Sequence, residues 1–153
     1  MWLYAITGDT RYGAACKGIL EDIEQAKLDA LISVQVVSEV AGVLYRSYGV
    51  KDTTGHVDAI LSYRMEIVPV TAEVIRLGAK YAKEFSISPY DAIHVATAAL
   101  SGITTILSAD KELNKLSAFE RLDLLSYRKA KKSLPLRIPG TTLVEPTHAQ
   151  TRR

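Results

Sequence analysis

Short β-rich runs alternate with longer amphipathic helical segments through most of this chain. The β-rich runs are predicted at 30–34, 66–70 and 105–107, and the segments between them carry apolar residues at helical spacing. Such alternation with short connections is typical of α/β proteins, whose parallel sheets are covered by helices on both faces. The pattern therefore predicts an α/β fold, a three-layer α/β/α sandwich around a short parallel sheet.

Length and composition point to one cytoplasmic domain. A chain of 153 residues buries enough surface to need no covalent crosslink, and the single Cys16 excludes an internal disulfide. Lack of a disulfide is consistent with a reducing compartment. The apolar run 30–44 is interrupted by Ser33, Gln35, Ser38 and Glu39, so we predict no membrane span.

Charge divides the chain into two parts. Residues 1–125 carry 12 Lys and Arg against 16 Asp and Glu, a net charge of −4, whereas residues 126–153 carry seven against one, a net charge of +6. We predict a domain over 1–125, followed by a basic loop, a possible last strand at Thr141–Glu145 and a tail. The segment Arg128–Arg137 is interpreted either as a solvated loop without a regular helix, because of Pro135 and Pro139, or as a phosphate contact.

The stretch from Ser88 to Asp110 places two acids near one edge of the predicted sheet. Ser88 and Pro89 suit the start of a helix, and Gly102 suits its end. The β-rich run 105–107 then delivers Asp110 at its carboxyl end, which is where open α/β sheets bind ligands. Asp91, in the first turn of the helix, is predicted to face the same crevice.

A third acid, Glu39, follows the run 30–34 by about one helical turn. Each acid also has a simpler interpretation: Asp91 complements a helix dipole, Asp110 caps a helix starting at Lys111, and Glu39 is a solvated glutamate near Arg46. Three acids at neighbouring strand ends favour a cation site. The histidines have no ligand spacing and are interpreted as ordinary side chains, and no Ser/His/acid set is evident; the three are His56, His94 and His148.

The order and spacing of four segments resemble those of the PIN domain, the ribonuclease fold of VapC-type toxins from toxin–antitoxin pairs. These segments are WLYAITGD, SVQVVSEVAGVL, SPYDAIHVATA and TTILSADKEL, and the resemblance covers most of residues 2–125. It implies a metal-dependent endoribonuclease that uses Mg²⁺ or Mn²⁺, cuts RNA, forms a homodimer and is held by a small antitoxin. The metal-site acids that it implies are Glu39, Asp91 and Asp110, with Ser108 and Glu112 as weaker candidates nearby. The region after Leu125 matches the family less well, and there the positive charge itself predicts RNA phosphate contacts at Arg128, Lys129, Lys131 and Lys132.

One element of the family pattern is missing. The family normally has an Asp at the end of its first strand, in a motif like Asp-Thr-Asn-x-x-x-Tyr, and Met1 stands where the second half of that motif would be. We therefore expect a PIN-like sheet whose N-terminal strand is truncated and encoded upstream. The strands at 31–34 and 105–107 should then have unpaired edges, unless Trp2–Ile6 supplies the central strand.

Two other functions agree with parts of the sequence. A catalytically weak or inactive PIN-like module that binds RNA or protein would explain the missing acid. A phosphate-handling receiver-type domain would also use clustered acids, but such domains gather them at the end of an early strand, which this chain does not do. The metal-dependent ribonuclease is the function that the sequence favours.

Overall fold

A computed structural model of the protein describes residues 1–130 and 141–143. The helices are α1 (Trp2–Thr7), α2 (Gly13–Glu24), α3 (Val34–Ser47), α4 (Thr54–Ser62), α5 (Ala72–Phe85), α6 (Pro89–Leu100) and α7 (Tyr127–Ala130). The strands are β1 (Ala30–Ser33), β2 (Glu66–Val68), β3 (Thr105–Leu107), β4 (Glu120–Leu122) and β5 (Thr141–Leu143), and a 3-10 turn covers Lys111–Lys115. Within this part of the chain, no helix is long and apolar enough to cross a membrane.

The described strands form one sheet in the order β2-β1-β5-β3-β4, and every neighbouring pair is parallel. The predicted α/β fold around a short parallel sheet is therefore confirmed. Successive side chains of a strand point to opposite faces of the sheet. Leu31 and Ile106 pack on one face, whereas Ile32 and Leu107 pack on the other. This period of two is the reason that both faces need a covering layer of helices.

Helices α1 to α4 cover one face of the sheet and share a large apolar core with Ile32 and Leu107. Helices α5 and α6 cover the other face, where apolar residues of α6 contact Leu31 and Ile106. The α5–α6 contact is close, because a Cβ at Gly78 would lie 3.4 Å from the Ala92 carbonyl. This close packing fixes α6, and with it Asp91, against the sheet.

Strand β5 occupies the centre of the sheet, between β1 and β3. Its Thr142 lies opposite Leu31 of β1 and Ile106 of β3. The expectation that β1 and β3 would have unpaired edges is therefore wrong, because a strand from the C-terminal part of the chain pairs with both. Parallel pairing does not require the partners to be close in sequence, so the order of the strands in the chain did not reveal this position.

The segment Trp2–Ile6 is helical, so the alternative in which it supplies the central strand is also wrong. Ala5 N donates to Met1 O at 3.1 Å, and Asp9 N donates to Tyr4 O at 3.0 Å across the end of the helix. Gly8 ends α1 in the left-handed conformation with φ of 67°. Short apolar runs do not distinguish a buried strand from a buried helix, and here the local turn at Gly8 favours the helix.

The basic segment begins as a helix and not as the predicted loop, since α7 includes Arg128 and Lys129. Tyr127 fixes this helix to α2: its hydroxyl donates to Asp22 Oδ2 at 3.1 Å, and its side chain is buried. Lys131, Lys132 and the remainder of 131–140 lie outside the described residues. The predicted strand at Thr141–Glu145 is found at Thr141–Leu143, and residues 144 and 145 lie outside the described part.

Candidate active site

The candidate site lies at the carboxyl edge of β1 and β3. Strand β1 leads directly into α3, which carries Glu39, and β3 leads through Ser108 to Asp110. Helix α6 runs back along the sheet before β3, so its first turn, with Asp91, returns to the same edge. Each of the three predicted acids is thus brought to this edge by a different element.

Glu39 is held from two sides. Gln35 Nε2, one turn earlier on α3, donates to Glu39 Oε1 at 2.6 Å, and His94 Nε2 of α6 lies 3.1 Å from Glu39 Oε2. The side chain retains 18% of its exposure, so the carboxylate reaches solvent while its position is fixed. Glu39 is therefore not simply a solvated glutamate near Arg46, as the alternative interpretation would have it.

His94 is a site residue that the sequence interpretation missed. Its ring is fully buried, with Nε2 facing Glu39 and Nδ1 lying 3.2 Å from Ser33 Oγ at the end of β1. The spacing from Asp91 contained a signal, because residues three apart lie on neighbouring parts of a helix surface. The interpretation of His94 as an ordinary side chain did not consider that both ring nitrogens would find partners 55 and 61 residues away.

Ser33, His94 and Glu39 also form a hydrogen-bonded Ser/His/acid set, which the sequence did not reveal. In a nucleophilic triad the hydroxyl must be able to reach the substrate. Ser33 is completely buried, so its hydroxyl meets no external substrate. The set is therefore an ordered chain of buried hydrogen bonds that ends on an accessible carboxylate.

Asp91 is 4% exposed and lies in the first turn of α6. Ser88 Oγ donates to Asp91 Oδ2 at 2.6 Å and accepts from Asp91 N at 3.1 Å, so Ser88 caps the helix as predicted. The capping interpretation of this pair is confirmed. A carboxylate in this position also complements the positive end of the helix dipole.

Asp110 also has a capping role, at the 3-10 turn that follows β3. Its Oδ1 accepts from Glu112 N at 2.8 Å, and Ser108 Oγ accepts from Asp110 N at 3.0 Å. Arg121 of β4 supports the same turn, since its Nη1 donates to Ser108 O at 2.6 Å. The weaker candidate Glu112 is exposed and paired with Lys115, so it points to solvent.

The carboxylates occupy one edge without forming a closed cage. In residues 1–130 and 141–143, no three His, Cys, Asp or Glu side chains are gathered into a group that could hold a metal ion. The donor chemistry nevertheless suits Mg²⁺ or Mn²⁺, which prefer oxygen ligands. Mg²⁺ in particular is usually bound by one or two carboxylates together with water and substrate phosphates, which an open edge of this kind can offer.

Of the predicted RNA contacts, the structure describes only the first two. Lys129 is exposed on α7, and Arg128 precedes it in the same helix. Lys131 and Lys132 lie outside the described residues.

The family is shown by a match of the PIN domain model to residues 1–118. This match covers more than half of the chain and includes Glu39, Asp91 and Asp110, so the chain belongs to the PIN domain family. Its fold is therefore a nuclease-type fold, of a family that typically uses divalent metals. No curated protein matches the sequence.

Proposed function

We propose that this protein is a metal-dependent endoribonuclease of the VapC toxin type, which hydrolyses phosphodiester bonds in RNA. The observation that carries the proposal is the placement of Glu39, Asp91 and Asp110 at one edge of a PIN sheet, each with its carboxylate oriented by hydrogen bonds. Three unneutralised carboxylates would repel both one another and an RNA phosphate. A divalent cation removes both repulsions, which is why the acids suit this chemistry.

The residues of this chain would hold and orient the reacting groups. Glu39, fixed by Gln35 and His94, and Asp91, fixed by Ser88, lie on the α3 and α6 side, while Asp110 lies on the β3 side. When bound, Mg²⁺ or Mn²⁺ would supply positive charge to the phosphate and lower the pKa of an attacking water. The protein's own contribution is the fixed spacing of the oxygen ligands, which limits reorganisation during in-line attack.

The proposed RNA contacts are the basic side chains that follow the acidic domain: Arg128, Lys129, Lys131 and Lys132. Phosphate contacts position a nucleic acid without reading its sequence. We propose that they hold the RNA backbone while the carboxylate edge acts on one phosphodiester.

We also propose a small antitoxin and a second copy of this chain as partners in the cytoplasm. Support for protein partners comes from large apolar side chains on the surface, among them Tyr45 of α3, Tyr48 directly after that helix and Leu61 of α4. Burial of such side chains in an interface removes apolar area from water. The presence of a single cysteine, Cys16, agrees with a reducing compartment.

A second candidate function is a catalytically weak PIN-like module that binds RNA or a protein. The observation that favours it is the open arrangement of the acids, since no preformed three-residue metal group exists among the described residues. In that function the carboxylate edge would be a remnant and the basic segment would act alone.

A metal titration of RNA cleavage separates the two candidates. The purified protein is freed of metal with EDTA and incubated with a mixed single-stranded RNA while Mn²⁺ or Mg²⁺ is added back. The nuclease proposal requires cleavage that rises with metal and disappears with EDTA. RNA binding without metal-dependent cleavage would favour the binding module instead.

A further inference from the structure

The hydrogen bonds that link Ser33, His94 and Glu39 connect three elements that are far apart in sequence. Ser33 ends β1, Glu39 lies on α3 and His94 lies on α6, one turn after Asp91. The ring of His94 is fully buried and lies between the two polar partners, at 3.2 Å from Ser33 Oγ and 3.1 Å from Glu39 Oε2. This series of hydrogen bonds leads from the protein interior to a carboxylate that reaches solvent.

A neutral imidazole beside an ionised carboxylate allows one arrangement of these two hydrogen bonds. An ionised carboxylate only accepts, so His94 Nε2 carries a proton and donates to Glu39. In the neutral ring the other nitrogen is then an acceptor, and the Ser33 hydroxyl donates to Nδ1. Ser33 stands at the N-cap of α3 but makes no capping bond with its side chain, so its hydroxyl is available for His94.

The two hydrogen bonds to Glu39 come from different helices. Gln35 belongs to the same helix and holds Oε1, whereas His94 belongs to α6 and holds Oε2. Among the described residues, the bond from His94 is the one hydrogen bond that relates Glu39 to another element of the site. Because Asp91 is also on α6, the His94–Glu39 bond ties together the two elements that carry these carboxylates.

We infer that His94 is a positioning residue, which orients Glu39 for a divalent cation and is itself held in the donating tautomer by Ser33. The inference rests on the proposed function in one respect, namely that Glu39 is a cation ligand. Residues that orient metal ligands typically affect metal affinity or activity by about 10–100-fold. A histidine that served only to fill the core would have no such effect on metal binding.

The test is the affinity for Mn²⁺, measured by isothermal titration calorimetry on the full chain without RNA. His94→Leu keeps an apolar side chain in the buried site but removes the donor, and we expect its Kd for Mn²⁺ to rise about 10–100-fold. His94→Gln retains an N–H donor at a similar distance from the backbone, and we expect it to recover most of the affinity. Ser33→Ala removes the hydroxyl that holds His94 in one tautomer, and we expect it to raise the Kd for Mn²⁺ by a smaller factor.

A double-mutant cycle with Glu39→Gln identifies the path of the effect. If His94 acts through Glu39, His94→Leu causes no further loss of Mn²⁺ affinity once Glu39 has been replaced. Independent losses in the double variant would overturn the inference, and so would an unchanged Kd in His94→Leu. An unchanged Kd in Glu39→Gln would overturn it as well, because Glu39 would then not be a ligand.

Circular dichroism melting of each variant controls for folding. If His94→Leu fails to fold, the comparison of Ser33→Ala and His94→Gln with the parent decides the question by the same Mn²⁺ measurement. The inference and the proposed function fail separately. Coupling between His94 and Glu39 in Mn²⁺ binding without any RNA cleavage would overturn the nuclease function alone, whereas cleavage with no such coupling would overturn the role of His94 alone.

Discussion

The two halves of the candidate site are held in place by different means. On the side of β1, α3 and α6, Glu39 is fixed by a buried histidine that is 55 residues away in the chain, and that histidine bonds a serine 61 residues away. On the side of β3, Asp110 is fixed by its own turn, with bonds to residues only two positions away. The position of Glu39 in the first half therefore depends on tertiary packing, whereas that of Asp110 in the second depends on local turn chemistry.

The difference predicts how each half responds to substitution. A long-range hydrogen bond is lost whenever its two elements shift, whereas an Asp that caps its own turn keeps its geometry as long as the turn forms. Among the described residues, the halves are joined through the sheet, where β5 lies between β1 and β3, and through the packing of α6 on Ile106 of β3. A substitution that disrupts β5 should therefore change the distance between the two halves without altering the hydrogen bonds within either half.

The largest expected effect is the loss of cleavage when a carboxylate is removed from either half. Asp91→Asn and Asp110→Asn keep the size of the side chain and much of its capping ability but remove an anionic ligand. Substitution of a residue that only orients a metal ligand typically lowers metal affinity or activity by about 10–100-fold. Because Asp91→Asn and Asp110→Asn remove a ligand itself, we expect each to lower the rate of RNA cleavage by at least about 100-fold. The rate is measured at saturating Mn²⁺ on a single-stranded RNA.

Asp52→Asn is the matched control for this prediction. Asp52 is exposed, and its Oδ1 accepts from Thr54 N at 2.9 Å, the same i to i+2 bond that Asp110 makes with Glu112. The control should cleave like the parent. Parental rates in both Asp91→Asn and Asp110→Asn would show that the site is elsewhere, and unfolding of both would show that capping is their main role.

The next effect concerns the strand that joins the halves. Thr142→Pro removes a backbone donor from the central strand, and a buried group left unsatisfied costs about 1–3 kcal/mol. In a chain of this size each kcal/mol lowers the Tm by about 2–4 °C. The control, Thr142→Ala, retains the N–H and should melt within a few degrees of the parent by circular dichroism. Equal melting of the Pro and Ala variants would argue against a central β5.

A smaller effect separates capping from ligand support within the α6 half. Ser88→Ala removes the N-cap of α6 and the hydrogen bond to Asp91, whereas Thr71→Ala removes the N-cap of α5, where Thr71 accepts from Val74 N at 3.3 Å. Both variants should lose about 1 kcal/mol of stability in urea unfolding. Only Ser88→Ala should also weaken Mn²⁺ binding, by about 10-fold. Equal Mn²⁺ affinity in the two variants would assign Ser88 to capping alone.

The smallest effect lies outside both halves, at the contact that anchors α7. Burial, reinforced by the nearby Asp22, raises the pKa of Tyr127 well above its ordinary value of about 10. The folded state therefore favours the neutral phenol, and this contribution to stability is complete below pH 10 and lost as the pH rises above it. Tyr127→Phe should lose less stability than the parent between pH 9 and pH 11 in urea unfolding.

Some of this loss of stability at high pH should persist in Tyr127→Phe. Burial, followed by the charges of Glu24 and Glu21, also raises the pKa of Tyr63, which the substitution leaves in place. An alkaline loss of the same size in variant and parent would contradict the role of Tyr127. Mn²⁺ binding at neutral pH should not change, because Tyr127 touches neither half of the site.

Local sequence was sufficient wherever a structure is stabilised by near neighbours. Ser88 and Pro89 start α6, Gly102 follows its end with φ of 70°, and Asp110 caps the turn after β3, all as the residue types predicted. The alternation of elements predicted a parallel sheet with two covered faces, and the strand ends predicted the edge where the acids lie. The caps and the turn depend on residues within a few positions of one another, and the parallel sheet was predicted from the order of the elements along the chain.

The sequence alone did not determine features that depend on contacts between distant segments. It placed Glu39, Asp91 and Asp110 near one edge, but only the tertiary structure brought His94 between Ser33 and Glu39, and only the tertiary structure placed β5 in the centre of the sheet. Propensity and periodicity report what a residue does to its own helix or strand. Which strand lies beside β1, and which buried nitrogen faces Glu39, are decided by burial and hydrogen-bond satisfaction across the whole domain, because a polar group in the core must find its partner wherever the fold provides one.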